Sequence, residues 1–461
     1  MTSLDTHQAN SLAPDWLDHP TDVNRLNPAI WPIGADRDAD GMLRIQGHRA
    51  DNLMASYGSP LYVMDEDDFR ARAARFAREF NGWQVYYAGK SFLCRAVARW
   101  VNQAGLGLDV CSGNELAVAL SAGFPPDRIE FHGNNKSVEE LAGAIDSGVG
   151  RIIVDCAEEI ERIERLAAER EATVAVLVRV TTGVQAHTHD YISTGHEDQK
   201  FGFSIQQGQA MAGLLACSSS PHLDLRGIHC HIGSQIFDTE GFRQAASRMV
   251  ALMADFRDRT AVSLPELNLG GGFGIAYTDR DTALDVGCLR AQLAQIVQDA
   301  LVGYGLDSCR LAIEPGRSIC GPAGVGLYTV GVVKPVLASE SATRVYVSVD
   351  GGMSDNVRSA LYRADYTAVV ANRRSTAAPV LARVAGKHCE SGDILVRDVY
   401  LPGDIRPGDI VAIPADGAYA RSLASNYNHA LKPGVVAVTP GHAYPILRRE
   451  TLDDLLALDV G

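Results

Sequence analysis

Eight short apolar runs, each leading into a helical stretch, constrain this chain more than any other feature. They are QVYYAG (84–89), GLGLDV (105–110), RIEFHG (128–133), RIIVDC (151–156), TVAVLVRV (173–180), LRGIHCHI (225–232), LPELNLGG (264–271) and RLAIEPG (310–316). The first five start about every 22 residues, room for a strand, a helix and two turns. Strands that alternate with helices pair in parallel and are buried on both faces, hence the near-continuous apolar runs. Eight such units over roughly 240 residues predict an α/β fold, a closed (β/α)8 barrel of the TIM type. An open doubly wound sheet carries the same signature, because counting strands does not establish closure.

Ahead of the runs, DEDDFRARAARFAREF (65–80) puts Phe69, Ala73, Phe76 and Phe80 on one helical face. After about residue 325 the texture changes. VGLYTVGVVKPVLA, TRVYVSVDGGM, PVLARVAGKHC, DILVRDVYLP, DIVAIPADGAYA and VVAVTP are β-branched runs broken by Gly, Pro and Asp, and they predict a separate antiparallel β domain. The expected division is an irregular lead-in over 1–30, a segment over 31–60 associated with the β domain, the barrel over 61–325, and the C-terminal β domain over 326–461. The joint falls near GPAGVG (321–326).

Charge and composition exclude several classes. A net charge of −14 offers no positive field to gather phosphates, which argues against a nucleic-acid partner. The apolar stretches fall far short of the roughly 18–20 residues of a membrane helix. The polar, acidic start lacks the basic and apolar regions of a signal peptide. Nine cysteines without a CxxC pair suit reduced thiols. A soluble, cytoplasmic protein is expected.

In such barrels catalytic groups gather where strands end. The eight ends carry Lys90; Asp109 with Cys111; His132 with Asn134; Asp155; Arg179; His231 with Ser234; Gly270–Gly272; and Glu314 with Arg317. Lys90 in YYAGKSFL is either an exposed loop residue or an amine able to form an imine with a carbonyl compound. CHIGSQ (230–235) is either a glycine turn with a satisfied histidine, or a turn that offers N–H groups and a hydroxyl to a phosphate. NLGGGFG (268–274) lets backbone approach an anion closely, and no GxGxxG dinucleotide spacing is present. EPGRS (314–318) is a local ion pair, or a carboxylate facing a ring and a guanidinium gripping an anion. Zinc ligands from His187, His189 and Asp190, or from His229 and His231, would leave the lysine, glycine and acid set unexplained, so no metal is expected.

Taken together, YAGKSF, GLGLDVCSGNELAVAL, HGNNKS, HIGSQ, LGGGFG, EPGRS, MSDNVRSALY, GKHCESGD and GAYA resemble, in order, the diaminopimelate decarboxylases, particularly the actinobacterial type. The likeness runs from about Trp31 to Leu458. It implies a barrel that binds pyridoxal 5'-phosphate, followed by a β domain. By the resemblance, Lys90 holds the cofactor as an imine and His231 lies against one face of its ring. Ser234, Gly271, Gly272 and Tyr419 serve the phosphate, Glu314 meets the ring nitrogen, and Asp109, Pro315, Gly316 and Arg317 complete the cofactor site. Arg317, Arg358, Tyr362, Glu390 and Tyr419 map to substrate recognition. The arginines and a tyrosine would clamp the distal carboxylate of meso-diaminopimelate, and Glu390 would pair with its distal ammonium. Cys389 would be the general acid that returns the proton. Cys389 and Glu390 reach the partner's site in the family, which implies a homodimer with shared active sites.

Departures from the family pattern are Gly89 where Ala is expected, Phe273 where an aliphatic residue is commoner, Ser359 where Pro is usual, and Arg421 close to Tyr419. Gly89 should add backbone freedom. The readings that compete are the same machinery on ornithine or arginine, a racemase on a similar plan, and a cofactor-binding homologue without activity.

Overall fold

The computed structural model describes residues 11–184, 199–339 and 342–461. Two compact units divide the chain. One gathers Arg70–Gly274 and Ala283–Ser318; the other holds the residues up to Phe69 with Ile275–Thr282 and Ile319–Gly461.

The first unit is the barrel. Its eight strands are Gln84–Ala88, Gly107–Val110, Ile129–Phe131, Arg151–Val154, Val174–Thr181, Leu223–His229, Glu266–Asn268 and Arg310–Ile313. Each pairs in parallel with the next, and the eighth returns to the first through Ala312↔Gln84 and Ile313↔Val85, so the sheet closes. Closure excludes the open-sheet alternative. A two-residue strand, Phe203–Ser204, adds to the fifth. Between strands the helices start where their caps dictate: Ser112 accepts from the Glu115 N–H, Ser137 forms a capping box with Glu140, and Asp285 accepts from Gly287 and Cys288. Ala73, Phe76 and Phe80 are buried as their spacing requires.

Two polar layers interrupt the apolar filling. At the strand starts, Arg151 of the fourth strand reaches Glu266 of the seventh with three hydrogen bonds of 2.8–3.1 Å. Nearer the strand ends lie Glu130, His229, Asn268 and Glu314, all buried.

The second unit is built on a sheet in the order Ile394–Pro402, Pro379–Ala385, Thr343–Val349, Gly324–Leu337, Leu61–Asp65, Gly434–Thr439 and His442–Leu447. Ile410–Pro414 also pairs with Gly324–Leu337 and with Val369–Val370. The expectation of an antiparallel domain needs correction: the sheet is mixed. Thr343–Val349 runs parallel to Pro379–Ala385, and Leu61–Asp65 parallel to Gly434–Thr439. Parallel neighbours need long crossovers, and the first pair has residues 350–378 between its strands. Leu61–Asp65, placed within the barrel segment by the sequence reading, instead sits between Gly324–Leu337 and Gly434–Thr439.

The lead-in is irregular from residue 11 but pinned in place. Asn24 exchanges two hydrogen bonds with the Ser375 backbone, at 2.8 and 2.9 Å. Among the described residues, no helix is long and apolar enough to cross a membrane.

Candidate active site

The barrel's strand ends build a polar floor. Lys90 stands on a short turn, Gly89–Ser91, directly after the first strand, and its side chain is exposed. Gly89 has a steric reason that the sequence reading, which assigned it backbone freedom, did not supply: a Cβ there would lie 2.7 Å from the Asp109 carbonyl oxygen. The eighth strand is neighbour to the first. The Ala88 N–H donates to the Pro315 carbonyl at 3.1 Å, and Gly316 packs so close to Ala88 that a Cβ would sit 2.8 Å from its methyl. Glu314 and Lys90 therefore belong to adjoining strand ends.

Glu314 is 4% exposed, and three side chains converge on its Oε1. Asn268 Nδ2 donates to it at 2.9 Å, His229 Nε2 lies at 3.0 Å and His132 Nε2 at 3.4 Å. His132 Nε2 is also 3.7 Å from Glu130 Oε2 and 3.8 Å from Asp109 Oδ1. Burial opposes a charge on His132, yet Asp109, Glu314 and Glu130 outweigh it and raise the imidazole to about 10. Burial also works against a charged Glu314, but His229 and His132 overcome it and hold the carboxylate well below its usual range. Burial pushes Glu130 up to about 7 and His229 down to about 4, and it raises Asp109. The resting arrangement is an imidazolium among carboxylates, with Glu314 ionised.

The loop after the sixth strand carries His231 and Ser234. The Gly271 N–H donates to His231 Nδ1 at 3.3 Å, so the neutral ring bears its proton on Nε2. Burial, and then the cations Lys90 and Arg179, keep this imidazole well below its usual pKa. Ser234 Oγ accepts from Arg317 Nη2 at 2.9 Å. Gly272 has φ +100°, and a Cβ on it would lie 2.2 Å from the Gly233 carbonyl oxygen; one on Gly271 would lie 2.1 Å from the Glu314 carbonyl oxygen. These turns admit no side chain. Phe273, the aromatic departure, stacks between Phe242 and Phe76, with centroids 5.6 and 6.2 Å away. Asp155 and Arg179, also named from strand ends, face each other at 3.9 Å.

The other residues named from the sequence belong to the second unit. Arg358 and Tyr362 begin and end a five-residue helix. Arg358 is buried; Nη1 donates to Tyr366 Oη at 2.5 Å, and the guanidinium lies 4.7 Å from the Tyr277 ring centroid. Ser359, the departure from Pro, is buried with no hydrogen-bond partner for its hydroxyl among the described residues. Cys389 and Glu390 are exposed on the bend after Pro379–Ala385, and Glu390 Oε1 accepts from Tyr427 Oη at 2.5 Å. Asp393 shapes that bend by accepting from the Met353 and His388 N–H groups at 2.6 and 2.7 Å. Tyr419 holds φ +61°, a strained conformation for a tyrosine. Arg421 Nε donates to the Pro433 carbonyl at 3.2 Å.

The sequence reading missed Glu130 and Asn268, weighed His229 only as a metal ligand, and named His132 among the strand ends without giving it a role. The available signal was a polar residue at an inward position of an apolar run. His187, His189 and Asp190 lie outside the described residues.

An exposed amine, a carboxylate kept ionised on the adjoining strand and glycine turns at strand ends suit a cofactor with an aldehyde, a ring nitrogen and a phosphate. Residues 66–321 match the family model for the pyridoxal-dependent decarboxylase, pyridoxal binding domain. The chain is 52% identical to the diaminopimelate decarboxylase of Mycobacterium tuberculosis (strain ATCC 25618 / H37Rv), over 94% of this chain and 98% of that one. It is 50% identical to the Mycobacterium leprae enzyme of the same name, over 95% and 94%. The crystal structure of the M. jannaschii diaminopimelate decarboxylase in co-complex with L-lysine superposes with a TM-score of 0.85 at 30% identity, covering 93% of this chain and 98% of that one. The chain belongs to the diaminopimelate decarboxylases, pyridoxal phosphate-dependent carboxy-lyases.

Proposed function

We propose that the enzyme decarboxylates meso-2,6-diaminopimelate to L-lysine and CO2, with Lys90 holding the cofactor and Cys389 of a second copy supplying the proton. The observation that carries this reading is Glu314, buried with His132, His229 and Asn268 converging on one of its oxygens, just past the strand that adjoins the one leading to Lys90. When bound, pyridoxal phosphate supplies an electron sink for the pair left behind as CO2 departs. Lys90 would hold the cofactor through its amine. Glu314 would accept the hydrogen bond of the ring nitrogen, and neutral His231 would support the ring. Ser234, Gly271, Gly272 and Tyr419 receive the phosphate, and Asp109, Pro315 and Gly316 wall the site.

Specificity lies at the substrate's far end. Arg317, Arg358 and Tyr362 take the distal carboxylate. Arg358 commits one of its five N–H groups to Tyr366, which fixes the plane of the fork and leaves the others for a ligand. Glu390 pairs with the distal ammonium. Lysine lacks the distal carboxylate, so it is held less firmly than the substrate. At the reacting end the Cα–carboxylate bond breaks, and Cys389 Sγ–H delivers a proton to Cα before solvent restores the thiol. The exposed position of Cys389 and Glu390 supports a homodimer in which each copy completes the other's site.

The test is lysine formation by the purified holoenzyme given meso-diaminopimelate, LL-diaminopimelate, ornithine and arginine in parallel. Lysine from the meso compound alone is expected. Turnover of ornithine or arginine in its place would refute the distal-carboxylate clamp, and a bound cofactor with no turnover would refute the catalytic reading.

A further inference from the structure

Beneath the strand ends, one imidazole is ringed by three buried carboxyl groups, one from its own strand and two from other strands or their ends. His132 follows the third strand, Asp109 is on the second, Glu130 on the third and Glu314 after the eighth. Its Nε2 faces all three at 3.4–3.8 Å. Asn268 adds a directional element. Its Oδ1 accepts from the Gly270 N–H at 2.9 Å, which assigns the amide and aims Nδ2 at Glu130 Oε2 (3.1 Å) and Glu314 Oε1 (2.9 Å). His229 Nε2 completes the set at 3.0 Å, its ring edge-on to that of His132 with centroids 4.9 Å apart. All three nitrogen groups come closest to the same oxygen of Glu314.

A divalent cation could in principle use His132, His229 and Glu314, whose donor atoms lie within 4.8 Å of one another. The Asn268 amide competes with it, since a fixed N–H donor already points at Oε1, the Glu314 oxygen nearest both imidazoles. The arrangement is that of a carboxylate whose basicity is drained through one oxygen while the other stays available.

We infer that His132, seconded by Asn268 and His229, is a positioning residue that weakens Glu314 as a base through Oε1, so that a proton shared between Glu314 and the cofactor's ring nitrogen resides on the ring. This rests on the reading that Glu314 meets that nitrogen. The physical argument is one of distance. A charge on His132 lies 3.4 Å from Glu314 Oε1 and therefore stabilises the carboxylate directly. A ring nitrogen held by the carboxylate would lie farther from His132 than Oε1 does and would feel the same charge less, because the interaction falls with separation. The difference favours the ionised carboxylate with a protonated ring over the neutral pair. A protonated ring is the stronger electron sink. Other charged and titratable groups that bear on the site are Lys90, Arg179, His231, Asp109 and Glu130, and the network as a whole couples them.

The test is 15N NMR of the holoenzyme reconstituted with ring-15N pyridoxal phosphate, for wild type, His132→Gln and Glu314→Gln, from pH 7 to 9. Wild type should resonate as a protonated ring across this range, and Glu314→Gln as a neutral one. His132→Gln should change the protonated-to-neutral ratio by about tenfold or more toward neutral. A purely packing role for His132 would lower stability without moving this resonance. If Glu314→Gln moves the signal and His132→Gln leaves it at the wild-type position, the inference fails while the Glu314 reading stands. If Glu314→Gln leaves it unmoved, the Glu314 reading itself fails. Should His132→Gln not fold, the wild-type enzyme still decides: its His132 imidazole must remain protonated at pH 8, and a neutral ring there overturns the inference.

Discussion

Replacing Arg151 by Met isolates the ion pair at the strand starts, away from the strand-end chemistry. Glu266 is 0% exposed and receives both Nε and Nη2 of Arg151. Without that guanidinium its nearest cation is the half-exposed Arg310, with Nη2 at 3.9 Å. Stranding a buried charge costs about 3–5 kcal/mol. For a unit of roughly 240 residues the unfolding entropy is about 0.5 kcal/mol per degree, so Tm should fall by roughly 6–10 °C. Glu266→Gln should cost less. The amide oxygen still accepts from Arg151, whose side chain is 11% exposed and begins its strand, where solvent can reach the charge. The double variant Arg151→Met/Glu266→Met should return to within about 2 kcal/mol of wild type, because apolar isosteres replace a buried pair at little net cost. Differential scanning calorimetry and urea titration of the four proteins give the cycle, and activity per folded molecule should be unchanged. Arg151→Met within about 1 kcal/mol of wild type, or a double variant as unstable as the two single losses added, would refute the reasoning.

Other expectations follow from single positions. Gly272→Ala forces a methyl to within 2.2 Å of the Gly233 carbonyl at φ +100°; absorbance after gel filtration should show cofactor content down at least tenfold, and full retention would remove Gly272 from the phosphate turn. Lys90→Ala should abolish the absorbance of the covalently held cofactor, whereas Cys389→Ala should retain the cofactor and lose turnover; a fully active Cys389→Ala enzyme would end its role as proton donor. Ser359→Pro removes a buried hydroxyl with no hydrogen-bond partner among the described residues, at the second position of Arg358–Tyr362, where no intrahelical N–H bond is lost. Stability should hold or rise by up to about 1 kcal/mol in thermal unfolding, and a larger loss would contradict this geometry. His132 is raised from 6.5 to about 10 by its carboxylates, so its contribution is fully present below pH 6.5 and is lost as pH climbs through 10. Urea unfolding of cofactor-free protein should weaken over that window, and His132→Gln should show a shallower decline; parallel pH curves for the two proteins would disprove the linkage.

Much of the barrel was legible because burial on both faces leaves little choice of residue. Each of the eight strands falls within or beside one of the apolar runs. Strand ends were legible for a different reason: polar groups there interrupt an otherwise apolar pattern. What stayed hidden was pairing. LYVMD is as apolar as any barrel strand, and only its neighbours, Gly324–Leu337 and Gly434–Thr439, place it in the other sheet. Likewise Arg358 stands out as a charge, and Tyr366 follows it closely in sequence, but the Tyr277 ring beside it comes from a distant stretch of chain.

The interior network sharpens this difference between cost and partner. Glu130 lies between Ile129 and Phe131, and Asn268 between Leu267 and Leu269. In each case one polar side chain occupies an inward position amid residues that are 0% exposed. Burying such a group alone costs several kcal/mol, so the pattern in sequence already demands a compensating group. It does not say which one, because Asn268 answers to Glu130 from four strands away and to Glu314 from the next strand. Only closure of the ring brings residues 109, 130, 132, 229, 268 and 314 to one place. A buried polar residue inside an apolar run is thus a stronger signal of a site than its local motif suggests, and the fold must be known before the signal can be read.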